Sequence, residues 1–359
     1  MHDAVIVGAG LVGLASAAAL AERGARVLLL YDNRRGEASP AAAGMLAPSV
    51  ELHEAAAVQA FAVAARERYP AYLAALREST GLDVPLNRLG VLEVALDESE
   101  LDHPPFREPA AGAERLEATQ LHALEPALAH AHGALYHALD GAVNNLVLLR
   151  ALKTHVGRHP RVTVRADAAL AIVRDRDDAV VETQAGERFR TRAVVLAAGA
   201  WVGALAGLPR PLPVSPVRGQ MLSLAGSPLR HVTYGGGGYA VPRGDGRTIV
   251  GSTMEHVSFD AGTTEAGLAQ VRATGGAISP ALAGLRMLNG WSGLRPVTPD
   301  FLPILGRDPA FDAVVYACGH SRNGVLLAPL TGDAVADLVL GTAPAHDLTP
   351  FRVERFDAA

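Results

Sequence analysis

The residues best suited to chemistry stand at the start of the chain. Gly8, Gly10 and Gly13 lie at G-x-G-x-x-G spacing within Gly8-Ala9-Gly10-Leu11-Val12-Gly13. Glycines so spaced let a chain turn tightly, bring its backbone against a pyrophosphate and start a helix packed close on a sheet. The pyrophosphate then meets free N–H groups at the start of the following helix, with Leu11 and Val12 of the turn also facing the cofactor. Other constellations are weaker. His130 and His132 are two residues apart, a spacing that diverges on a helix, and no third ligand stands nearby, so no metal site is predicted. Gly319-His320-Ser321-Arg322-Asn323 lacks the closing glycine of a nucleophile elbow. Cys318 is the single cysteine, which excludes an internal disulfide and fits a reducing cytoplasm.

The glycine turn needs a strand before it and a helix after it, and the sequence supplies both. Ala4–Val7 is an apolar run, Leu14–Arg23 a helix of small residues, and Val27–Leu30 a second strand. Strand, turn, helix and strand make a dinucleotide-binding βαβ unit. Further on, Glu51–Ser79 has helical spacing (Ala60, Phe61, Ala64, Ala65, Tyr69), Arg88–Ala95 alternates as a strand, and the Pro- and Ala-rich Asp102–Gly112 reads as a surface loop. Leu146–His155 reads as a helix and Val162–Val164 as a strand. Ala193–Ala198 reads as a buried parallel strand ending in the glycine turn at Gly199. Gln220–Leu224, Tyr239–Pro242 and Thr248–Val250 predict an antiparallel sheet. Ala313–Ala317, the Gly319–Gly324 turn and a helix through Leu340 repeat the order of strand, turn and helix.

Bulk properties narrow the class. A chain of 359 residues, 49% hydrophobic, can bury a large core in about two domains. A net charge of −5 without a basic run argues against nucleic acid as a partner. No apolar stretch is long enough to span a bilayer, and the N-terminal apolar run reads as a strand rather than a signal peptide. The expected location is the cytoplasm.

Two further stretches carry a resemblance. Ala41-Ala42-Ala43-Gly44-Met45-Leu46-Ala47-Pro48 follows the second strand. Gly293-Leu294-Arg295-Pro296, Pro299-Asp300 and Pro303-Ile304-Leu305-Gly306 precede the terminal turn. With the N-terminal unit, these resemble the D-amino-acid-oxidase-type flavoenzymes over nearly the whole chain, and within that family the glycine-oxidising members that serve thiamine thiazole synthesis. The resemblance implies an α/β fold with a discontinuous, Rossmann-like FAD domain (1–48, 145–215 and 292–359) and an inserted substrate domain built on an antiparallel sheet (49–144 and 216–291). It implies noncovalent FAD and an oxidase that acts on glycine, sarcosine and small D-amino acids, giving an imino acid that water hydrolyses to the 2-oxo acid and ammonia (or the amine), with oxygen reduced to hydrogen peroxide. The implied partners are a small amino acid and oxygen, with neither nucleic acid nor membrane; a homo-oligomer is compatible with it. Alternatives are a D-amino-acid or N-methyl-amino-acid oxidase or dehydrogenase outside thiamine synthesis, a flavin module that modifies tRNA, and a nicotinamide dehydrogenase.

The same resemblance assigns site residues. Arg295 is implied as the carboxylate anchor, since a guanidinium offers two parallel donors. Tyr239 would be a second donor, Arg322 would lie near substrate and flavin, and Met45 and Met254 would line the apolar side. Gly237 stands where the family carries a histidine, which implies free volume beside the substrate. His320, Ser321, Arg322, Asn323, Gly324, Val325 and Leu326 would face the flavin with backbone N–H groups and a helix N-terminus. Ala38, Ser39, Ala43, Gly44, Met45, Ala169, Gly199 and Gly293 complete the implied FAD contacts. One departure concerns the ribose. The family's acidic position is Tyr31 here, with Asp32 one residue later. Either a bulge brings Asp32 to the ribose or backbone groups of Tyr31 and Asp32 hold it, because a one-residue shift reverses side-chain direction.

Overall fold

The computed structural model describes residues 2–51, 56–109 and 111–357. Its N-terminal unit is β1 (Ala4–Val7), α1 (Leu11–Glu22) and β2 (Val27–Tyr31), with the two strands parallel. The helix begins at Leu11, directly on the glycine turn, rather than at Leu14. Six strands form one sheet in the order 304–307, 314–318, 194–196, β1, β2, 162–166. All neighbours are parallel except 304–307, which runs antiparallel to 314–318. Their side chains alternate between two cores. Ile6, Leu29, Val195 and Val315 join the layer of helices, whereas Val5, Leu28, Val194 and Val314 join the opposite layer. Burial on both faces explains why these strands are uninterrupted apolar runs in the sequence. Residues 11 and 13–21 of α1 are buried, which its run of alanines allows by letting the terminal helix Gly324–Leu340 approach closely.

The second large sheet has eight strands, in the order 287–297, 215–225, 247–251, 238–242, 232–235, 91–95, 133–137, 114–117. Its pairs are antiparallel except 232–235 with 91–95, which is parallel. The sheet is therefore mixed at one point where an antiparallel sheet was expected. Strands 215–225 and 287–297 are each eleven residues long and pair along their whole length. The position between 291 and 292, an expected domain boundary, falls inside the latter strand. The helical reading of Glu51–Ser79 becomes Pro48–Glu51 and Ala56–Thr80. Residues 52–55 of that reading, and residue 110 of the predicted loop, lie outside the described residues. Among the described residues no helix is long and apolar enough to cross a membrane.

Candidate active site

β1 is the switch point of the six-stranded sheet: the chain leaves it to pair on one side with β2 and returns on the other with 194–196. In open α/β sheets such a point leaves a crevice beyond the strand ends. Here a cleft enclosing about 1780 Å³, open solvent at its mouth included, is lined by the turns that follow all four central strands. Gly8–Val12 follow β1, Tyr31 and Asp32 follow β2, Ala197–Trp201 follow 194–196, and Gly319–Arg322 follow 314–318. The opposite wall comes from the larger sheet, through Gly219, Met221, Tyr239 and Gly293–Pro296.

At the end beside β1 the cleft is made largely of backbone. Gly8 has φ +111°, and a Cβ there would lie 2.4 Å from the Ala197 carbonyl oxygen. A Cβ on Gly13 would lie 1.8 Å from the Gly8 carbonyl oxygen, so the helix sits as close as the spacing predicts. Gly13 itself does not line the cleft; its part is the packing. The Leu11 N–H donates to Ser39 Oγ at 3.0 Å. Two residues that sequence reasoning missed fix the 39–45 segment. Asn145 Nδ2 donates to the Ser39 carbonyl at 3.0 Å, and Arg243 donates to Ala43 and Val143 carbonyls at 2.8 and 2.9 Å and to Asn145 Oδ1 at 3.1 Å. Burial lowers Arg243 to about 10, so it is charged at neutral pH, and its hydrogen bonds go to carbonyls and an amide.

Tyr31 and Asp32 both line the cleft. The Asp32 carboxylate accepts from Arg34 Nε at 2.5 Å, and the Arg34 guanidinium lies 5.6 Å from the Trp201 ring centre. Ala38, Ser39, Ala43, Gly44, Met45, Ala169, Gly199 and Gly293 all reach the cleft, as do His320, Ser321, Gly324 and Val325. His320 is buried with Nε2 at 3.1 Å from Thr331 Oγ1, and burial pushes it down to about 3, so the ring is neutral. Cys318 is buried in its strand, and burial pushes its thiol up to about 12.

The other end is made of side chains. Arg295 stands opposite Val217 in the long strand pair, and its guanidinium folds back over Gly219, where a Cβ would lie 2.1 Å from Nη1. It donates to the Thr253 carbonyl at 3.1 Å and to Ser252 Oγ at 2.6 Å, and among the described residues it pairs with no carboxylate. Tyr239 is buried with its hydroxyl 3.8 Å from Met221 Sδ. Arg322 pairs with Glu51 at 2.9 Å and lies 3.4 Å from the Tyr234 hydroxyl. Burial lifts the Glu51 carboxyl above its ordinary range against the pull of Arg322 and Arg295. Glu51, Gly219 and Tyr234 carried no signal in the sequence, since only the tertiary fold brings them to Arg295 and Arg322.

Four expectations need correction. Met254 is 48% exposed and does not line the cleft; its neighbour Thr253 takes the inward direction and hydrogen-bonds the Gln220 N–H at 2.8 Å. Gly236 and Gly237 form an exposed hairpin turn with positive φ outside the cleft, so they leave no free volume beside a substrate. Leu326 packs into the core beneath the cleft, because the helix has turned its side chain inward. Asn323 precedes that helix and does not line the cleft either, although its Oδ1 is buried without a partner. His130 bonds the Ala277 carbonyl, and no group of three metal-ligating side chains occurs among the described residues.

These features fit a flavin dinucleotide. Two helices of 12 and 17 residues begin at one cleft with no acidic residue in either first turn, which suits anionic oxygens at both. The glycine contacts leave no room for a Cβ where the turn faces the cleft, so backbone alone can approach a ligand there.

Comparison with known proteins agrees. The chain is 35% identical to a glycine oxidase of Pseudomonas aeruginosa, with 97% of each chain covered. It is 33% identical to the bifunctional protein ThiO/ThiG of a Synechocystis species, covering 99% of this chain but only 54% of that relative, about half its length. The crystal structure of glycine oxidase from Geobacillus kaustophilus superposes with a TM-score of 0.91 at 33% identity, covering 99% of this chain and 98% of that one. The family model for FAD-dependent oxidoreductases of the DAO type matches residues 3–338, and the chain belongs to that family.

Proposed function

We propose that the chain is a glycine oxidase, converting glycine, oxygen and water to glyoxylate, ammonia and hydrogen peroxide. The observation that carries this reading is Arg295, a guanidinium without a carboxylate partner among the described residues, facing the same cleft that Tyr239 lines. A small amino acid supplies the missing carboxylate, and a planar guanidinium fixes its orientation through two parallel bonds. The names of the relatives point to glycine, and the half-length match to a ThiO/ThiG protein supports a place in thiamine thiazole synthesis.

When bound, FAD supplies the two-electron acceptor. The residues of the chain bind and orient. Arg295 would hold the carboxylate, with Ser252 and the Thr253 carbonyl keeping its guanidinium in place. Tyr239 would donate a further hydrogen bond. Met45 and Met221 would present an apolar wall and exclude water from the reacting carbon. Backbone N–H groups of the Gly319–Gly324 turn and the positive end of the following helix would favour negative charge nearby.

FAD is held noncovalently in this reading, and burial, which pushes the Cys318 thiol up to about 12, keeps that side chain from acting as a thiolate nucleophile toward it. The six-stranded sheet and its helices form the FAD domain, and the eight-stranded sheet forms the substrate domain. The long strand 287–297 belongs to both, which moves the expected boundary at 292. In this reading the chain works in the cytoplasm and takes sarcosine and small D-amino acids as well as glycine. Purified protein given glycine should release hydrogen peroxide and glyoxylate in equal amounts. A bound flavin that no amino acid bleaches would overturn the assignment.

A further inference from the structure

The substrate end holds two guanidiniums, and only one of them is free. Arg295 faces the cleft without a carboxylate among the described residues, whereas Arg322 is paired with Glu51 at 2.9 Å. Both partners of that pair line the same cleft as Arg295 and Tyr239. The Glu51 side chain is 6% exposed, so the carboxylate has given up its water to be there. Arg322 keeps 38% of its side chain exposed, so the desolvation cost falls on the carboxylate, and a buried carboxylate is costly even beside a cation. A pair in that position therefore calls for a use in the cleft.

Counting charge suggests one. Arg295, Arg322 and Glu51 together leave one positive charge, which matches a substrate with one carboxylate. Removing the Glu51 charge would leave two guanidiniums on one cleft, which matches a dicarboxylate. We infer that Glu51 is a built-in occupant of Arg322. It fills the second guanidinium, so that the site accepts amines with one carboxylate and turns away N-carboxymethyl amino acids and similar dicarboxylates. This rests on the reading of Arg295 as the carboxylate anchor and adds the group that sets substrate class. Such discrimination works by repulsion and by denying a partner, not by new contacts to the favoured ligand.

The test uses inert ligands, so it does not depend on turnover. Diglycolate and methoxyacetate, each with an ether oxygen where the amine would be, carry two carboxylates and one. Their binding to the FAD-loaded enzyme is read by titration calorimetry and by perturbation of the flavin spectrum. Wild-type enzyme should prefer methoxyacetate. Glu51→Gln should shift the ratio of the two affinities at least tenfold toward diglycolate, and Glu51→Ala gives the same reading should that variant not fold. Glu51→Asp should hold the ratio within threefold of wild type, and adding Arg322→Met to Glu51→Gln should cancel the gain. An unchanged ratio in both charge-removing variants, or a gain that survives loss of Arg322, would overturn the inference. Failure of methoxyacetate to bind wild-type enzyme at all would instead strike at the Arg295 reading, as would normal binding in Arg295→Met.

Discussion

The two ends of the cleft are built on different principles. Beside β1 the walls are backbone: turns after parallel strands, two helix starts, and glycines where a Cβ has no room. At the far end the walls are side chains from the eight-stranded sheet, from Pro48–Glu51 and from Arg322, and three of them, Arg295, Arg322 and Glu51, are charged. The first end positions a ligand by where the chain goes, so its precision depends on steric exclusion. The second positions a ligand by charge and hydrogen bonding, so its precision depends on what holds each side chain. Damage at the first end should strike folding and cofactor together, and damage at the second should leave the holoprotein standing.

The sharpest way to break that contrast is Gly13→Ala. The added methyl would sit 1.8 Å from the Gly8 carbonyl oxygen, and neither backbone can give way without parting helix from sheet. We expect no soluble flavin-containing protein. A yellow, folded variant would show that this end tolerates side chains and that the contrast is false.

Arg295→Met should have the next largest effect and the opposite character. Leaving a desolvated carboxylate without its cation costs about 2–5 kcal/mol, or about thirtyfold and more in kcat/KM for glycine. FAD content should match wild type. Loss of flavin in this variant would make Arg295 a structural residue and erase the distinction between the ends.

Gly219→Ala tests whether the side-chain end also depends on backbone. Its methyl would land 2.1 Å from Arg295 Nη1, the far end of a flexible side chain, so the guanidinium must shift rather than the sheet. A displaced anchor should raise KM for glycine about tenfold, the worth of one weakened charge-assisted hydrogen bond. Bound flavin should be unaffected. An unchanged KM would show that Arg295 reaches its ligand from another rotamer.

How much of this was legible follows the same division. The glycine end could be read from spacing, because exclusion of a Cβ leaves its mark at the very position concerned: Gly8 and Gly13 are explained by one close approach each. The strands could be read because burial on both faces makes them continuous apolar runs. Gly219 was missed although it is also a glycine, since what it makes room for lies 76 residues along and depends on strand register. Glu51 was missed because a single carboxylate near a helix end looks like any surface residue until Arg322 meets it. Met254 was misplaced for a local reason: Thr253 took the inward direction, and neighbouring residues on an extended chain point opposite ways.

A smaller effect is expected at Asp32. Its carboxylate already holds Arg34 at 2.5 Å, so a ribose would share it. Asp32→Ala should weaken FAD binding by about 1.5 kcal/mol, the lower end for a hydrogen bond to a charged group, or about tenfold. Equilibrium titration of apoprotein with FAD measures it. An unaltered dissociation constant would assign the ribose to backbone groups of Tyr31 and Asp32, making the first end still more purely a backbone site.

The smallest effect concerns His320, and it sharpens the contrast because this buried ring stays neutral where the other end keeps charges. Its pKa falls from an ordinary 6.5 to about 3 on folding, through burial. Between those values the unfolded chain binds a proton that the folded chain refuses, so stability rises with pH across this window and is lost as pH falls through it. Well above pH 6.5 neither state is protonated and the contribution is flat. The loss from this group should stay under about 1 kcal/mol between pH 7 and 6, and below that should not exceed about 1.4 kcal/mol per pH unit. Denaturant unfolding at several pH values, with FAD saturating throughout, measures the slope. His320→Gln keeps a polar group facing Thr331 without a titrating proton, so its stability should vary less over pH 7 to 5 than that of wild type. Equal slopes in the two proteins would mean that His320 takes up a proton while buried.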